Sequence, residues 1–386
     1  MKKLFIYGTM ALMALTSCND FLDKAPLDAF TNTPAYWSNT SNLDNQCNTF
    51  YNNYSGYGNG SGSGWYYFKT LSDDQVDYQS TVWTYTSVVA TSTNWSDPFT
   101  EIRRANYIIE GLKTSSLDDA VKANYEGLAR LNRAWEYYQL VRMYGDVQWI
   151  TTVVDPAEKD VVYGPRTDRD IVMDNVLEDL NYATTTITGT NKQRFSADMA
   201  LAMKADITLY EGTYCKYRND NAGKAADNAR AEKYLRECVS ACETLMGKGY
   251  SLNPSYQGNY NSISLSSNPE MIFYKPYSQN TFMHSTIDYT INTSGTSGMT
   301  KNAFDSYLFL DGKPKATTTM DTNDAAVKDA NGKYNLESVL AVRDKRLAIT
   351  LDPVLCFKGS AYSRAGVAAF TSTTGYGIAK YDNTAE

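Results

Sequence analysis

Apolar side chains in the stretch 126–150 repeat every three or four residues, and this pattern predicts the central helix of the chain. The residues that would share one helical face are Leu128, Leu131, Trp135, Tyr138 and Val141. Gly145 follows as the expected left-handed stop, and Arg142 lies in the last turn, where a cation interacts favourably with the helix dipole. Because Ala134, Tyr137 and Tyr144 widen the apolar face, we expect other helices to cover it on more than one side.

The same periodicity predicts five further helices. They run from Pro34 to about Tyr54, from an N-cap at Asp97 to about Leu112, from a capping box at 167–170 to about Ala183, from Ser196 to about Tyr214, and from about Ala225 to Met246. Consecutive helix pairs with short links indicate tetratricopeptide-like hairpins, although no strict repeat period is visible. After Tyr250 the chain becomes rich in Ser, Asn, Gly and Tyr, with strands predicted at 271–274 and 346–351 and a polar loop at 311–334.

The first residues have the pattern of a secretory signal peptide. Two lysines precede an apolar run from Leu4 to Leu15, which is too short to span a bilayer. The four residues Leu15–Cys18 resemble a bacterial lipobox, which predicts cleavage before Cys18 and attachment of lipid to its sulfur. An ordinary signal peptide with a chance cysteine is the alternative. Since more than one acyl chain gives stable anchoring, we predict a lipoprotein signal peptide at 1–17 and a mature chain tethered to a membrane.

Composition narrows the classes of ligand. The chain of 386 residues contains 31 Tyr against 13 Phe and 6 Trp, and Tyr combines a flat apolar ring with a polar tip. The surplus fits either broad recognition surfaces or a core that uses Tyr in place of Phe. The formal net charge is −7, and Lys and Arg do not cluster beyond the N-terminus. Both observations argue against nucleic acid and favour a neutral ligand.

An aromatic cluster follows a flexible segment rich in Gly and Ser at 56–64, a setting in which a core is not expected. The cluster begins with four consecutive aromatic residues at 65–68 and continues to Trp95. Because loops position contact residues on a rigid scaffold, we interpret the region Trp65–Trp95 as the leading ligand-contact region.

Signatures of catalysis and metal binding are sparse. His284 is the one histidine in the chain, so any Ser-His-Asp or Cys-His scheme depends on it. The adjacent carboxylates of Asp73 and Asp74 fit three interpretations: a turn and helix start, a Ca²⁺ site completed by Asp77, or the acid/base pair of a glycosidase. We expect the first, and with it neither a catalytic residue nor a bound metal or cofactor.

The cysteines other than Cys18 are Cys47, Cys215, Cys238, Cys242 and Cys356. Their odd number and irregular spacing argue against a disulfide framework. Cys238 and Cys242 lie one turn apart in the last predicted helix and fit either half of a metal site or buried core thiols. We expect core thiols, because the sequence offers no further ligands nearby.

Short motifs along nearly the whole chain resemble those of the SusD/RagB family. The central helix is similar to the family's in its Arg-x-x-Arg and Tyr-Tyr run before a Gly-Asp-Val turn. The other motifs are Ser17–Asp23 with Pro26, Leu71–Asp74, Ile102–Leu112, Glu178–Asn181, Gly249–Leu252, Asn268–Phe273, Asp311–Pro314, Arg343–Leu347, Gly375–Tyr376 and Lys380–Tyr381. Each motif alone is weakly specific, but their shared order is strongly specific.

The resemblance implies a mainly α fold of tetratricopeptide-like hairpins with long loop-rich insertions and a few short strands. It implies a single domain at 18–386, with a helical scaffold at about 30–250 and a loop-rich ligand side at about 251–386. Members of the family continue into a further helical pair, so we expect the chain to be C-terminally incomplete. The resemblance further implies a cell-surface lipoprotein of the Bacteroidetes outer membrane that binds oligosaccharides and covers a SusC-type TonB-dependent transporter.

Sugar binding suits the aromatic residues, because rings lie against the C–H faces of sugars while amides and carboxylates bind hydroxyls. The candidate contacts are Trp65, Tyr66, Tyr67, Trp83, Trp95, Tyr274, Tyr277 and Tyr289. One rival hypothesis is a surface glycosidase or lyase that acts through Asp73 or Asp74. The other is a transporter-assembly subunit that does not bind glycan itself.

Overall fold

A scaffold of long helices makes up most of the described part of this computed structural model. The residues that the structure describes are 32–54, 56, 74–77, 92–219, 223–278, 297–324, 334–335, 337–350, 354–355, 361–362 and 370–371. Across these residues the fold is mainly α-helical, as predicted. The strands that they contain form three separate antiparallel pairs of two or three residues each.

The elements are numbered in chain order. The helices are α1 Pro34–Trp37, α2 Thr40–Asn48, α3 Thr93–Leu112, α4 Asp119–Tyr144, α5 Lys159–Val162, α6 Arg169–Thr186, α7 Ala197–Tyr217, α8 Asn228–Met246, α9 Gly258–Asn261, α10 Lys301–Ser306, α11 Glu337–Leu340 and α12 Lys345–Thr350, and a 3₁₀ helix at Thr49–Asn53 continues α2. The strands are β1 Gln75–Asp77, β2 Ser297–Met299, β3 Tyr334–Asn335, β4 Val354–Leu355, β5 Ala361–Tyr362 and β6 Phe370–Thr371.

The predicted central helix is α4, which begins seven residues before Glu126 and ends at Tyr144. Gly145 ends the helix with the predicted positive φ of 71°, but its ψ of −111° lies outside the left-handed helical region, so the stop is made by glycine in a different conformation from the one expected. The helix buries residues on several sides, including Leu131, Ala134 and Tyr137. It packs against α3 on one side and α6 on another. The wide apolar face is covered on more than one side, as predicted, and it lies at the centre of the main hydrophobic core.

Consecutive long helices pack side by side in the order α3, α4, α6, α7 and α8, which confirms the predicted hairpin scaffold. Ser196 caps α7 by accepting a hydrogen bond from the backbone N–H of Met199, at 3.2 Å. Gly212 lets α7 and α8 approach closely, because a Cβ atom there would lie 2.7 Å from Cγ of Leu235. The absence of a side chain at Gly212 thus sets the close spacing of this hairpin.

Several predicted boundaries are wrong at helix starts. Ser92, not Asp97, caps α3, so Pro98 lies inside the helix. The first predicted helix is divided after Trp37, because Asn39 caps a new helix by accepting from the N–H of Ser41. Asp168, within the predicted capping box, caps α6 by accepting from the N–H of Asp170.

Two predicted strands are also wrong. The segment 271–274 is irregular: the N–H of Met271 donates to the carbonyl of Asn268 in a local turn, and the N–H of Tyr274 donates to the carbonyl of Lys192. The segment 346–351 lies mostly in helix α12. Both are short apolar runs, whose periodicity does not distinguish a strand from a helix or an irregular segment packed on a core.

The expectation of buried thiols in α8 is wrong as well. Cys242 is exposed and Cys238 is half-buried. The buried positions of α8 are Ala231, Tyr234, Ala241 and Leu245. The buried face of α8 is therefore centred on these residues, so that Cys238 lies at its margin and Cys242 lies outside it.

A smaller core lies outside the stack of long helices. Its buried residues include Phe304 of α10, Leu340 of α11 and Leu347 of α12. The Arg343 side chain is 1% exposed and lies between two rings, with Cζ 5.0 Å from the centroid of Phe304 and 4.1 Å from that of Phe309. The Arg-Asp-Lys-Arg-Leu motif therefore organises this core, since its first arginine is the residue around which the rings pack.

The helices of the described residues are amphipathic or short. Within those ranges, none of the helices combines the length and the apolar composition that crossing a bilayer requires. The region of the predicted signal peptide, 1–17, lies outside the described residues.

The close approach at Gly212 gives a test of the hairpin packing. We expect Gly212→Leu to lower the free energy of unfolding by about 2 kcal/mol, because the added side chain overlaps Leu235 of α8. Thermal unfolding followed by circular dichroism measures the change, with Lys216→Leu at an exposed position of α7 as the control. Equal melting temperatures for the two variants would contradict the packing described here.

Candidate functional site

Most of the predicted contact residues lie outside the described residues. These are Cys18, Asp73, Trp65, Tyr66, Tyr67, Trp83 and Tyr289. The structure does describe the residues that flank them in the chain, together with Trp95, Tyr274 and Tyr277. The candidate site is therefore built from these flanking residues.

The described residues on either side of 57–73 contact those on either side of 279–296. Gly56, which precedes the segment 57–73, lies against the ring and hydroxyl of Tyr277, which precedes the segment 279–296. The φ of Gly56 is 61°, which suits a residue without a side chain. After them, β1 pairs antiparallel with β2, with Val76 opposite Gly298. The two segments that carry predicted contact residues thus begin next to each other and end next to each other.

The ladder between β1 and β2 continues into α10. The N–H of Thr300 donates to the carbonyl of Asp74 at 3.0 Å, and the Thr300 hydroxyl caps α10 by accepting from the N–H of Ala303. Asp74 and the backbone of Asp77 are therefore fixed at the edge of the smaller core. The Ca²⁺ and acid/base interpretations of the acidic run stay predictions, since Asp73 lies outside the described residues.

Tyr274 is held by its neighbours in the chain segment 192–193. Its N–H donates to the carbonyl of Lys192 at 3.0 Å, and its hydroxyl accepts from Nε2 of Gln193 at 2.6 Å. Next to it, Nζ of Lys275 donates to the carbonyl of Tyr54 at 3.0 Å. The Tyr274–Tyr277 segment is therefore tied both to the loop before α7 and to the residues that precede Gly56.

An aromatic cluster that the sequence analysis missed underlies this segment. Its members are Tyr51, Tyr54, Trp135, Phe195 and Phe273. Tyr51 stacks on Phe195 with ring centroids 4.1 Å apart, and Tyr54 stacks on Trp135 at 5.4 Å. These rings come from four separate parts of the chain, so periodicity within one segment could not group them. We call the surface formed by Gln193, Tyr274, Tyr277 and Gly56 above this cluster the aromatic platform.

Trp95 lies elsewhere. It occupies the first turn of α3, not a loop, and its ring meets Tyr144 edge to face at 4.9 Å. The guanidinium of Arg166 lies 5.0 Å from the ring centroid. The described contacts of Trp95 join it to the scaffold, and none of them reaches Tyr274 or Tyr277.

Buried ion pairs hold the scaffold under the site. Arg133 of α4 and Asp179 of α6 are 4% and 1% exposed, and Nε and Nη2 of the arginine each donate to a carboxylate oxygen at 2.8 Å. Nη1 of Arg133 donates to Oδ1 of Asn106, whose amide in turn donates to the carbonyls of Ile150 and Thr152. Asn106 is therefore a buried amide that joins Arg133 to the backbone of the segment after α4.

A second cluster brings Asp170, Glu211 and Cys215 within 4.8 Å of one another, as metal ligands would be. Arg169 donates to both carboxylates, and its Nη2 atom lies 2.5 Å from Glu211. Arg218 and Lys224 also bind Asp170. Because cations already neutralise both acids, this cluster is a structural ion-pair network and does not fit a metal ion.

Glu136 of α4 is the carboxyl group with the most altered environment. It is 6% exposed, and its Oε1 atom has no hydrogen-bond partner among the described residues. Burial raises the pKa of Glu136 to about 8, and the nearby carboxylate of Glu101 adds to the effect. A raised pKa is typical of catalytic acids, but Glu136 is enclosed in the helical core and its environment suits a structural carboxyl that stays protonated.

The raised pKa predicts how stability depends on pH. Above the ordinary pKa of about 4.5 the unfolded chain loses the proton of Glu136 while the folded chain keeps it, so stability falls as pH rises towards 8. We expect Glu136→Gln to be more stable than the parent by about 2 kcal/mol at pH 8 and equally stable near pH 4. Urea unfolding across this range tests it, with exposed Glu243→Gln as the control; a pH-independent difference would refute the assignment.

Comparison with known proteins gives a family match and similar folds. Residues 20–209 match the SusD-like family model described as "Starch-binding associating with outer membrane". No curated protein gave a match. Among solved structures, a SusD-like carbohydrate binding protein from Bacteroides fragilis has a TM-score of 0.65 at 18% identity, covering 90% of this chain and 69% of its own.

Two further structures are similar over the same extent. A second SusD-like protein from Bacteroides fragilis has a TM-score of 0.62 at 20% identity, covering 92% of this chain and 70% of its own. A SusD superfamily protein from Parabacteroides distasonis has a TM-score of 0.58 at 18% identity, covering 90% and 71%. At these identities the structures establish a shared fold, in agreement with the family match in sequence.

Proposed function

The chain belongs to the SusD/RagB family, and from this membership we propose that it captures oligosaccharides at the cell surface and delivers them to a SusC-type TonB-dependent transporter. The family is associated with the outer membrane and with starch binding. Delivery to a transporter and attachment through lipid on Cys18 belong to the proposal. So does the division into a scaffold at about 30–250 and a ligand side at about 251–386.

One observation supports glycan binding at the aromatic platform most directly. The described residues that flank the segments 57–73 and 279–296 contact each other: Gly56 lies against Tyr277 before the segments, and β1 pairs with β2 after them. We infer that Trp65, Tyr66, Tyr67 and Tyr289, which these segments carry, contribute to one surface with Tyr274 and Tyr277. Trp83 lies beyond β1 in the chain and is proposed as a further contact, whereas Trp95 in α3 is the weakest of the candidates.

The chemistry of the platform suits a neutral sugar. Aromatic faces receive the C–H faces of sugar rings, and the amide of Gln193 and the tyrosine hydroxyls can exchange hydrogen bonds with sugar hydroxyls. The rings below the platform are packed against each other, so they are ordered before a ligand arrives. Prior order lowers the entropic cost of binding.

Affinity electrophoresis on a panel of neutral polysaccharides that includes soluble starch tests the platform. We expect Trp65→Ala, Trp83→Ala and Tyr277→Ala each to lose most of the retardation of the parent protein, because each removes a stacking face. Tyr163→Ala is the matched control, since Tyr163 is 78% exposed and lies after α5. Unchanged retardation in all three platform variants would exclude the platform.

A surface glycosidase or lyase is the first rival. It predicts release of reducing sugar from a retained polysaccharide and loss of this release in Asp73→Asn or Asp74→Asn. Under our proposal these variants bind as the parent does and no sugar is released. A transporter-assembly subunit is the second rival; it predicts co-purification with the transporter and no retardation on any glycan.

The lipid anchor has its own test. We expect labelled palmitate to be incorporated into the parent protein and not into Cys18→Ala, which should leave the membrane fraction, because the sulfur of Cys18 is the proposed attachment point. Cys242→Ala, which removes an exposed thiol of α8, is the control. Labelling of Cys18→Ala would overturn the proposed anchor.

A further inference from the structure

A groove of about 560 Å³ opens between α3, α4, α6 and the segment 149–152. Its volume lies within the range of small-molecule sites in proteins. It shares no residue with the aromatic platform. The groove is therefore a separate candidate site, and its lining determines what it can bind.

The floor of the groove is rigid. Asp179 accepts hydrogen bonds from Arg133 at 2.8 Å and from Nη1 of Arg130 at 3.1 Å. Arg133 is fixed further by Asn106, which is itself bonded to the carbonyls of residues 150 and 152. Because each polar group is held by at least one other, the floor needs no rearrangement to receive a ligand.

The walls combine aromatic faces with hydrogen-bonding groups. The guanidinium of Arg130 stacks on the ring of Tyr182, with Cζ 4.4 Å from the centroid, and Arg130 also binds Glu126. On the other side, the ring of Trp149 lies 5.4 Å from Cζ of Arg133. Planar arginine–aromatic pairs next to carboxylates offer apolar faces and donors and acceptors of hydrogen bonds within one ligand's reach.

The charges of the lining determine the class of ligand. Lys and Arg contribute four cations and Asp and Glu contribute four carboxylates, so the groove is neutral overall. An anion such as a phosphate would meet Glu126 and Glu178, and a cation would meet Arg130 and Lys122. A purely apolar molecule would remove the half-buried Glu126 and Arg130 and the exposed Glu178 from water without offering them hydrogen bonds. A neutral molecule with many hydroxyl groups satisfies both signs of charge.

We propose that this groove is a second carbohydrate-binding site, which holds one or a few sugar units of a neutral glycan on the helical scaffold. The inference goes beyond the proposed capture at the aromatic platform, because it depends on different residues and a different part of the fold. A ligand ring stacks at the Tyr182–Trp149 walls, and its hydroxyls exchange hydrogen bonds with Glu126, Glu178 and Arg130.

The test fills the groove from its exposed side. Glu178 is exposed on α6, so Glu178→Trp places a large ring in the groove without disturbing the buried ion pairs. Ile171→Trp is the matched control, because Ile171 is 55% exposed on the same helix and does not line the groove. Binding of short malto-, cello- and xylo-oligosaccharides is measured by saturation-transfer NMR and titration calorimetry, with circular dichroism as the check of folding.

We expect the parent and Ile171→Trp to bind at least one of these oligosaccharides with the same affinity, and Glu178→Trp to bind it at least tenfold more weakly. Equal binding by Glu178→Trp, or no binding of any oligosaccharide by the parent, would overturn the proposal. The platform is judged separately by Trp65→Ala and Trp83→Ala on polysaccharides. If these variants lose retardation while Glu178→Trp binds normally, the platform stands and the groove does not; the opposite pattern supports the groove alone.

Discussion

The buried contact between Arg133 of α4 and Asp179 of α6 is the interaction on which the helical scaffold depends. Arg133 also binds Asn106 of α3, and Asn106 in turn binds the carbonyls of Ile150 and Thr152. The ion pair is therefore connected to α3 and to the segment that follows α4. Removing one partner of such a pair leaves an uncompensated buried charge, which costs about 3–5 kcal/mol. Apolar burial alone would let these helices slide past one another, whereas a bidentate pair fixes their register.

A second buried ion pair joins the next two helices, α6 and α7. Arg169 at the start of α6 binds Glu211 in the middle of α7, and Glu211 is fully buried. Burial would raise the pKa of the neighbouring Asp170, but hydrogen bonds from Arg218 and Lys224 outweigh this and lower the pKa to about 2. This carboxylate therefore stabilises the fold above its ordinary pKa, and its contribution is lost only in strong acid.

The sequence predicted those features that depend on local chemistry. Helical periodicity located α4, and the cap at Ser196 and the stop at Gly145 are local interactions of the backbone. Predictions were wrong where the outcome depends on distant neighbours. The apolar run at 346–351 is helical, because short runs fit either structure until tertiary packing decides. The exposed Cys242 shows the same effect on a helix face.

The candidate site depends on distant neighbours in the same way. Aromatic residues that follow a segment rich in Gly and Ser predicted a contact surface, and of its described candidates Tyr274 and Tyr277 belong to the aromatic platform while Trp95 packs on the scaffold elsewhere. The supporting rings of Tyr54 and Phe195 come from distant positions in the chain, so no pattern within one segment could reveal them. The groove beside Tyr182 was also missed, since its ion pairs join residues of different helices that look like ordinary surface charges in the sequence.

The contact between Gly56 and Tyr277 and the pairing of β1 with β2 have an evolutionary consequence. Because the two intervening segments leave and rejoin the scaffold at shared points, insertions or deletions within them need not move any helix. The buried ion pairs of the scaffold stay intact while the sequences of these two segments vary. Under the proposed function, a lineage can therefore adapt to a new polysaccharide by changing the length and composition of these segments while the helical scaffold stays the same.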